Sequence, residues 1–359
     1  MPATITPKLA EVITIKDVRE HSDSLWKSAH CYEKAQLWRK AIDVLLQFAK
    51  AMPGDPRQLE ALHRLGMAHL ADRQYAVAVE FFRRILEENP RSPTAHQSHV
   101  PLARSLMALN RLDEAMIELQ RVVTDHPALK PDSVEYRAAL VELGRLHYRQ
   151  RQFEAAIQRL NEADERYGQA TEGATIRFLM ADSYRQSVPQ IEETLKQQLP
   201  LSRRQALAAE RARRLDRAQS LYGQVVTELD ARKPASMSEA EKLYRRNAYF
   251  YRADCAYDLG KYDQAITLYD AAVKHFDADP SSLMALVQIV NAYCEMGRLD
   301  EARVANDRAR AQLKRIPKEA FDDPSLPMNR QHWEDWLKFT SQFNLFSAAQ
   351  ADAGNRRTQ

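Results

Sequence analysis

The chain has 359 residues, which is enough for two or three globular domains or for one long repeat array. Glycine is scarce, at 9 residues, while alanine, leucine, arginine and glutamate abound, and this composition favours helix throughout. The 52 basic and 49 acidic residues nearly cancel to a net charge of +3, which excludes a global attraction to nucleic acid or to a membrane surface.

No apolar run approaches the roughly 18 residues that a membrane-spanning helix needs. The N-terminus lacks a charged start followed by an apolar core, so no secretory signal is predicted. The three cysteines, Cys31, Cys255 and Cys294, have no pairing pattern, which predicts neither a disulfide framework nor a zinc site. These features favour the cytoplasm. The alternative is the periplasm, if an export signal is missing from this sequence.

Residues 59–92 show the organisation of the chain most clearly. Their apolar positions recur at 3.6-residue spacing and predict two amphipathic helices joined by a tight turn at residues 71–74. Small residues, Gly66 and Ala78, lie where the two helices must cross closely. Pro90 ends the second helix, because proline cannot continue one.

This pattern resembles the tetratricopeptide repeat, and the matching positions are Leu62, Leu65, Gly66, Ala78, Phe82, Ile85 and Pro90. The small residue that opens the second helix recurs with gaps of 37, 37, 41, 62, 47 and 37 residues, at Ala41, Ala78, Ala115, Ala156, Ala218, Ala265 and Ala302. The period of 37 and the Pro-Xaa-Ser links are similar to those of bacterial repeat proteins of envelope assembly and Tol–Pal coordination. The resemblance implies an all-α fold, a right-handed α-solenoid superhelix of about seven helix pairs with a C-terminal capping helix.

The predicted segments follow in chain order. Three apolar residues of an N-terminal extension, residues 1–21, are predicted to form a short cap: Ile13, Ile15 and Val18. The solenoid, residues 22–316, has repeats near 22–55, 59–92, 96–129, 137–170, 174–232, 246–279 and 283–316. The capping helix, 329–346, carries Trp333, Trp336, Leu337, Phe339 and Phe343, and residues 347–359 are predicted to be disordered.

Two repeats depart from the pattern. Pro101 falls inside the first helix of the third repeat, so that helix is expected to start late or to kink. The fifth repeat is split by an insertion near residues 187–212. Its first helix is predicted to end near residue 186, Pro189 and Pro200 are expected to bound a short helix, and residues after Ser202 are expected to extend the second helix backwards.

Signatures of catalysis are missing from the sequence, which has no glycine-rich phosphate loop, GxSxG, HExxH or CxxC motif. We therefore predict that the protein is not an enzyme and uses no cofactor or metal. His96 and His99 share a helix face but are interpreted as packing residues. Cys31 and Cys255 are interpreted as small core residues and not as nucleophiles.

The resemblance implies that the first helices of the pairs line a concave groove, where aromatic and arginine side chains are suited to anchor a peptide. The candidate groove residues are Trp26, His30, His63, Met67, Arg104, Arg145, Tyr148, Phe178, Asp182, Arg185, Phe250, Asp254, Tyr257 and Asn291. Arg104, Arg145 and Arg185 are predicted to form one continuous basic strip.

The predicted function is a non-catalytic scaffold or adaptor that binds a protein or peptide in this groove. One alternative is the binding of RNA or another polyanion through the arginines of the insertion, Arg203, Arg204, Arg211, Arg213, Arg214 and Arg217. Nucleic acid is nevertheless not expected, because no aromatic residues interleave with these arginines for base stacking. A further alternative is a non-catalytic subunit of a larger enzyme or envelope-assembly complex.

Overall fold

Helices account for all the long regular elements in the part of the chain that the structure, a computed structural model, describes. That part comprises residues 7–51, 53–125, 128–168, 172–323 and 326–342, with side chains from residue 19 onward except those of 125 and 339–342. No strand occurs in these residues. The chain divides into two units, Met1–Arg151 and Gln152–Gln359, each built of consecutive packed helices.

Unit 1, Met1–Arg151, contains seven α-helices in its described residues. They are α1 (Pro7–Lys34), α2 (Trp38–Ala51), α3 (Gln58–Ala71), α4 (Tyr75–Glu88), α5 (Pro93–Ala108), α6 (Leu112–Gln120) and α7 (Val134–Arg149). One π-helical turn, Arg121–Asp125, continues α6.

Unit 2, Gln152–Gln359, contains eight α-helices in its described residues. They are α8 (Phe153–Tyr167), α9 (Gly173–Leu195), α10 (Leu201–Asp230), α11 (Glu239–Asp258), α12 (Tyr262–His275), α13 (Ser281–Glu295), α14 (Leu299–Arg315) and α15 (Arg330–Gln342). Short 3₁₀ turns lie at Pro234–Ser236 and Lys318–Phe321.

Small residues allow the helices to approach closely, as the sequence predicts. All seven of the recurring alanines, from Ala41 to Ala302, are fully buried. A Cβ atom on Gly66 would lie 2.7 Å from Cε1 of Phe82, whose ring is itself fully buried. The ring of Phe82 therefore occupies the space that the glycine leaves free, and the predicted all-α array of helix pairs is confirmed.

Most helix pairs share one turn geometry. The second residue after the first helix has a positive φ, at Gln36 (56°), Arg73 (63°), Asn110 (60°), Arg151 (60°), Gly260 (72°) and Gly297 (71°). The next backbone N–H then donates to a carbonyl five residues back, as in Gln74 N–H to His69 O at 2.8 Å and Lys261 N–H to Ala256 O at 2.9 Å. This bond satisfies a carbonyl that the end of the helix would otherwise leave unpaired.

Two prolines lie inside helices that the sequence predicted they would interrupt. The predicted late start of the helix at Pro101 is wrong, because α5 begins at Pro93, where Ser92 Oγ caps it by accepting from Ala95 N–H at 3.0 Å. The predicted end of the helix near residue 186 is also wrong, since α9 continues through Pro189 to Leu195. Burial of Val188 and Ile191 against the neighbouring helix outweighs the lost backbone bond. The backward extension of the second helix is confirmed, because α10 begins at Leu201.

The N-terminal end of the helix array is one continuous helix and not a separate cap, and the C-terminal end is covered by α15. The N-terminal extension and the first helix of repeat one are a single helix, α1, although the side chains of Ile13, Ile15 and Val18 lie outside the described residues. At the other end α15 packs on α14 and buries Trp333 and Leu337, as expected of a helix that covers the last repeat. The side chains of Phe339 and Phe343, and the predicted disordered segment 347–359, also lie outside the described residues.

Candidate binding faces

The candidate residues lie on two surfaces, one in each unit, which we call the first-helix faces. In unit 1 this face is formed by α1, α3, α5 and α7, and in unit 2 by α9, α11 and α13. Consecutive first helices touch, as α3 does α5, α5 does α7, and α9 does α11. Side chains on each face are therefore close enough to form a shared surface.

Trp26, on α1, is held by its neighbours. Its ring lies 5.1 Å from the ring of Phe48, and the guanidinium groups of Arg64 and Arg57 stack over it at 4.1 and 5.3 Å. Such cation–π contacts stabilise the ring in place. Trp26 is half-buried, whereas His30, one turn further along, is exposed.

His63, on α3, is a neutral hydrogen-bond donor. Its Nδ1 lies 2.9 Å from Ser98 Oγ, and that hydroxyl donates to Thr94 O at 2.7 Å, so the serine accepts from His63 Nδ1–H. Burial lowers the pKa of His63 to about 4, which keeps the ring uncharged at neutral pH. Met67, one turn further along, is 39% exposed and available to a partner.

Arg104 and Arg145 converge on a buried carboxylate. Arg104 Nε donates to Glu142 Oε1 at 2.9 Å, and Arg145 Nε lies 3.8 Å from Glu142 Oε2. Glu142 is only 3% exposed, whereas the two arginine side chains are 46% and 44% exposed. The pair therefore carries one net positive charge toward solvent, and charge reversal at Arg104 would leave Glu142 buried beside a second carboxylate. Tyr148, on the same helix as Arg145, is half-buried.

In unit 2 the predicted contact residues of α9 serve packing. Asp182 is 3% exposed and accepts hydrogen bonds from Tyr222 Oη at 2.8 Å and from Arg185 Nη2 at 2.6 Å. The guanidinium of Arg185 also stacks on the ring of Tyr251 at 4.1 Å. Phe178, 5% exposed, stacks on Tyr244 with ring centroids 4.3 Å apart. Asp182 and Phe178 thus offer a partner little surface.

Arg104 and Arg145 belong to unit 1 and Arg185 to unit 2. The continuous basic strip therefore stays a prediction.

A cavity of about 220 Å³ lies between α11 and α13. Two predicted residues line it, Phe250, which is buried, and Asp254, whose carboxylate accepts a hydrogen bond from Tyr269 Oη at 2.6 Å. Burial raises the pKa of Asp254 to about 6, with the hydrogen bond from Tyr269 acting in the opposite direction. Two other predicted residues do not line the cavity: Tyr257 packs edge-on against Tyr262, and Asn291 is exposed.

Sequence reasoning missed several side chains of this cavity. Tyr251, Tyr269, Met284 and Trp333 line it, and so does the segment 326–328. Trp333 was assigned to the capping helix, and Tyr269 was not among the candidate groove residues. The available signal was the run of aromatic residues at positions 249–251 of α11, followed by Tyr257 one to two turns later.

Three of the six arginines of the insertion, Arg211, Arg213 and Arg214, pair with acidic neighbours. Arg211 bonds Glu192 at 2.7 Å and the carbonyl of Asp258 at 2.9 Å. Arg213 pairs with Glu210, and Arg214 pairs with Glu210 and Glu154. Pairing of this kind reduces the charge available to a polyanion, so the structure adds no support to that alternative.

Cysteine and histidine chemistry adds no second site. Cys255 is buried as predicted, and burial raises the pKa of its thiol. The interpretation of Cys31 as a core residue is wrong, because it is exposed on α1, which no earlier helix of the described residues covers. His99 pairs with Glu118 at 3.0 Å. Within the described ranges no three potential metal ligands lie together. None of the helices described is both long and apolar enough to cross a membrane.

Comparison with known proteins identifies the repeat. Three family models, each described as tetratricopeptide repeat, match residues 27–93, 69–132 and 247–279. No curated protein matches the chain in sequence.

Solved structures of low identity share the fold. The chain is similar to the apo form of RapI, at 11% identity over 92% of this chain and 81% of that one, with a TM-score of 0.54. It is similar to the C-terminal part of a tetratricopeptide repeat-containing protein from Cytophaga hutchinsonii, at 14% identity over 84% of this chain and 99% of that one, with a TM-score of 0.53. A signal transduction ATPase with a tetratricopeptide repeat sensor, from Pyrococcus horikoshii, matches at 13% identity over 82% of this chain and 43% of that one, with a TM-score of 0.52.

At such identities structural likeness establishes the fold and no function. The family matches, the shared fold, the buried small residues and the recurring turn agree with one another. The chain is a tetratricopeptide repeat protein.

Proposed function

We propose that this protein is a non-catalytic scaffold or adaptor that binds a protein or peptide partner on its first-helix faces. The observation that supports the proposal is that side chains of unit 1 are either buried in helix packing or exposed on one face. The small and large apolar residues are buried where the helices pack, while Met67, Arg104 and Arg145 are about two-fifths exposed on the first-helix face. An exposed apolar thioether and two exposed guanidinium groups are side chains suited to anchor a peptide.

The test compares variants on the first helices of unit 1 with variants on its second helices. Replacing His30 and Met67 with glutamate alters the first-helix face without touching Glu142 or the helix crossings. The control replaces Leu46 and Ile117 with glutamate, since these apolar residues are 45% and 50% exposed on the second helices α2 and α6. Proteins that co-purify with each variant from the native cell are quantified by mass spectrometry, and the leading partner is then titrated in pure form.

We expect the partner's affinity to fall at least about tenfold for the face variant, which corresponds to about 1.4 kcal/mol, and to be retained by the control. Loss of binding with the control alone would contradict the proposal and would move the site to the second helices.

We also propose a cytoplasmic location. Support comes from the thiols of Cys31 and Cys294, which are free and exposed, a state that a reducing compartment maintains. Fractionation of the native cell should place the protein with a cytoplasmic marker. Recovery with a periplasmic marker would favour the exported alternative.

A further inference from the structure

We propose that the cavity between α11 and α13 binds a primary ammonium group, that of a lysine side chain of the partner, through the carboxylate of Asp254. The source of the lysine rests on the proposed function, but the preference of the cavity for an ammonium group does not.

The size of the cavity suits one side chain. Its volume of about 220 Å³ lies below the roughly 300–1,000 Å³ of sites that hold drug-sized ligands. Phe250, Met284 and the segment 326–328 supply apolar walls, and Asp254 lies among them. A long apolar stem that ends in a charged group matches this distribution of surface.

No protein cation forms an ion pair with Asp254 in the described residues, although Arg185 lies near enough to favour its charged form. In the described residues its hydrogen-bond partner is Tyr269 Oη, a neutral donor, at 2.6 Å. The two arginines nearby are engaged elsewhere, Arg185 with Asp182 at 2.6 Å and Arg246 with Asp279 at 3.1 Å. Asp254 is half-buried, so its carboxylate loses part of its hydration without gaining a cation, and an entering cation would recover part of that free energy.

The rings around Asp254 select the sign of the ligand. Tyr251, Tyr269 and Trp333 line the same cavity, and the faces of aromatic rings carry partial negative charge. An anion would therefore meet both the rings and the carboxylate unfavourably. A neutral apolar ligand would dehydrate Asp254 without compensation. A cation is stabilised by both groups, and the charge of Arg246, which also lines the cavity, is already paired with Asp279 at 3.1 Å.

Lysine fits better than arginine. A guanidinium binds a carboxylate best through two parallel hydrogen bonds that use both carboxylate oxygens. Here Tyr269 Oη already donates to Oδ1 of Asp254. An ammonium group behaves as a compact point charge and needs only the second oxygen.

The experiment titrates the protein with N-acetyl-lysine methylamide and with its neutral norleucine analogue, followed by NMR. At roughly 0.3 kcal/mol per heavy atom, a ligand of this size has a Kd on the order of 1 mM. We expect the norleucine analogue, and the lysine derivative with Asp254→Asn, to bind at least about tenfold more weakly. The matched control is Asp258→Asn, which removes an exposed carboxylate one helical turn away that raises the pKa of Asp254 but does not line the cavity. Its affinity should stay within about threefold of the wild type.

A second measurement follows lysine binding as the pH is varied. The groups that act on Asp254 are Arg185 on α9, Asp258 on α11 and Tyr269 on α12, and Arg246 and Tyr251 line the same cavity. With a pKa of about 6 for Asp254, lowering the pH from 7.5 to 5 should weaken lysine binding about tenfold, because the carboxylate becomes protonated while the amine stays charged. In Asp254→Asn this dependence should vanish.

Equal binding of the norleucine analogue, an equal loss in Asp258→Asn, or no Asp254-dependent binding of the lysine derivative would each overturn the inference. The partner titration keeps the two proposals distinguishable. Loss of the partner in the His30/Met67 variant together with a cavity indifferent to lysine would defeat only the inference. Lysine binding at Asp254 together with a partner indifferent to the His30/Met67 variant would defeat only the use of the unit 1 face.

Discussion

Two carboxylates on the first-helix face of unit 2 are treated differently by their surroundings. Asp182 receives hydrogen bonds from Tyr222 and Arg185, so its charge is paired. Asp254 receives one from Tyr269, and burial raises its pKa to about 6. A charge left in this state lowers the stability of the folded protein, which is common where a side chain is kept for binding.

The first prediction concerns the pH dependence that Asp254 produces. Its folded pKa of about 6 exceeds the unfolded value of 3.8, so the folded state binds the proton more tightly. The favourable contribution is complete below about pH 4, is lost as the pH rises to about 6, and stays absent above it. Asp254→Asn should therefore raise the free energy of unfolding by about 1–2 kcal/mol at pH 7.5, with little change at pH 4.

Denaturant unfolding at both pH values measures this, and Asp182→Asn serves as the opposite case. That substitution should destabilise the protein at pH 7.5, because it removes the partner of Arg185. A lower stability of Asp254→Asn at pH 7.5 would show that its carboxylate is already balanced.

The second prediction tests the close helix crossing in repeat two. Ala78 is fully buried on α4, so Ala78→Leu should force α3 and α4 apart and cost about 1–3 kcal/mol of stability. Ala76 lies on the exposed side of the same helix, and Ala76→Leu should change stability by less than about 0.5 kcal/mol. Thermal melts of the two variants give the comparison. Equal melting of Ala78→Leu and the wild type would contradict the crossing.

At the scale of the element, the turns between paired helices repeat one conformation with different residues. Gln36, Arg73 and Asn110 adopt a positive φ in unit 1, where Gly260 and Gly297 serve in unit 2. Side chains other than glycine are strained in this region by about 1–2 kcal/mol.

The third prediction follows from that strain. Arg73→Gly should stabilise the protein by up to about 1 kcal/mol, since the relief of strain exceeds the added freedom of the unfolded chain. Gly260→Ala should destabilise it by a similar amount, and nothing lies within 4 Å of the added Cβ, so the effect is one of backbone alone. Urea unfolding of both variants measures the pair. A destabilised Arg73→Gly would show that the side chain of Arg73 contributes more than its backbone costs.

The fourth prediction concerns the hairpin formed by α9 and α10. If residues 190–201 were only a turn between repeat helices, their deletion would leave stability nearly unchanged. The structure reverses this expectation, because Ile191 is buried and Glu192 pairs with Arg211 at 2.7 Å. Deletion should now cost about 2 kcal/mol or more.

The control for the hairpin removes an exposed ion pair at its end. Replacing Glu193 and Lys196 with alanine deletes a pair whose side chains are each 70% exposed, and stability should change by less than about 0.5 kcal/mol. Calorimetry of both proteins decides the matter. A deletion variant with the same Tm as the wild type would contradict the prediction and show that residues 190–201 do not contribute to stability.

At the scale of the whole molecule, ion pairs are numerous but most are exposed. Arg84–Glu88 is typical, with side chains 58% and 51% exposed, and such pairs contribute little to stability. The fifth prediction is that raising NaCl from about 0.05 to 0.5 M changes the Tm by less than roughly 5 °C, because apolar helix stacking carries the fold. A fall in Tm of more than roughly 10 °C would show that ion pairs contribute more to the stability of the fold than apolar helix stacking does.

How well a feature could be predicted from the sequence depends on how far apart in the chain its interacting residues lie. Ala78, Gly66 and the turn at Arg73 were predictable, because their signal repeats every 37 residues and depends on neighbours within one helix pair. The continuity of α9 through Pro189 was not, since it depends on what α10 packs against it.

The candidate site was predictable only in part for the same reason. Phe250 and Asp254 were found from their positions in a repeat. Tyr269 comes from the second helix of the pair, and Trp333 comes from beyond the last repeat. Positions counted within the first helix of one repeat could therefore not identify them. The bond between Asp182 and Tyr222 likewise joins residues 40 positions apart, across the insertion.

The recurring turn also determines how the chain can be edited. The backbone has the same conformation at Gln36, Arg73 and Asn110, each 37 residues from the next. A segment excised or copied between two of these positions, such as residues 37–73, would be rejoined at points that already match in geometry. The array can therefore be shortened or lengthened by a whole module of 37 residues while every splice keeps its native turn.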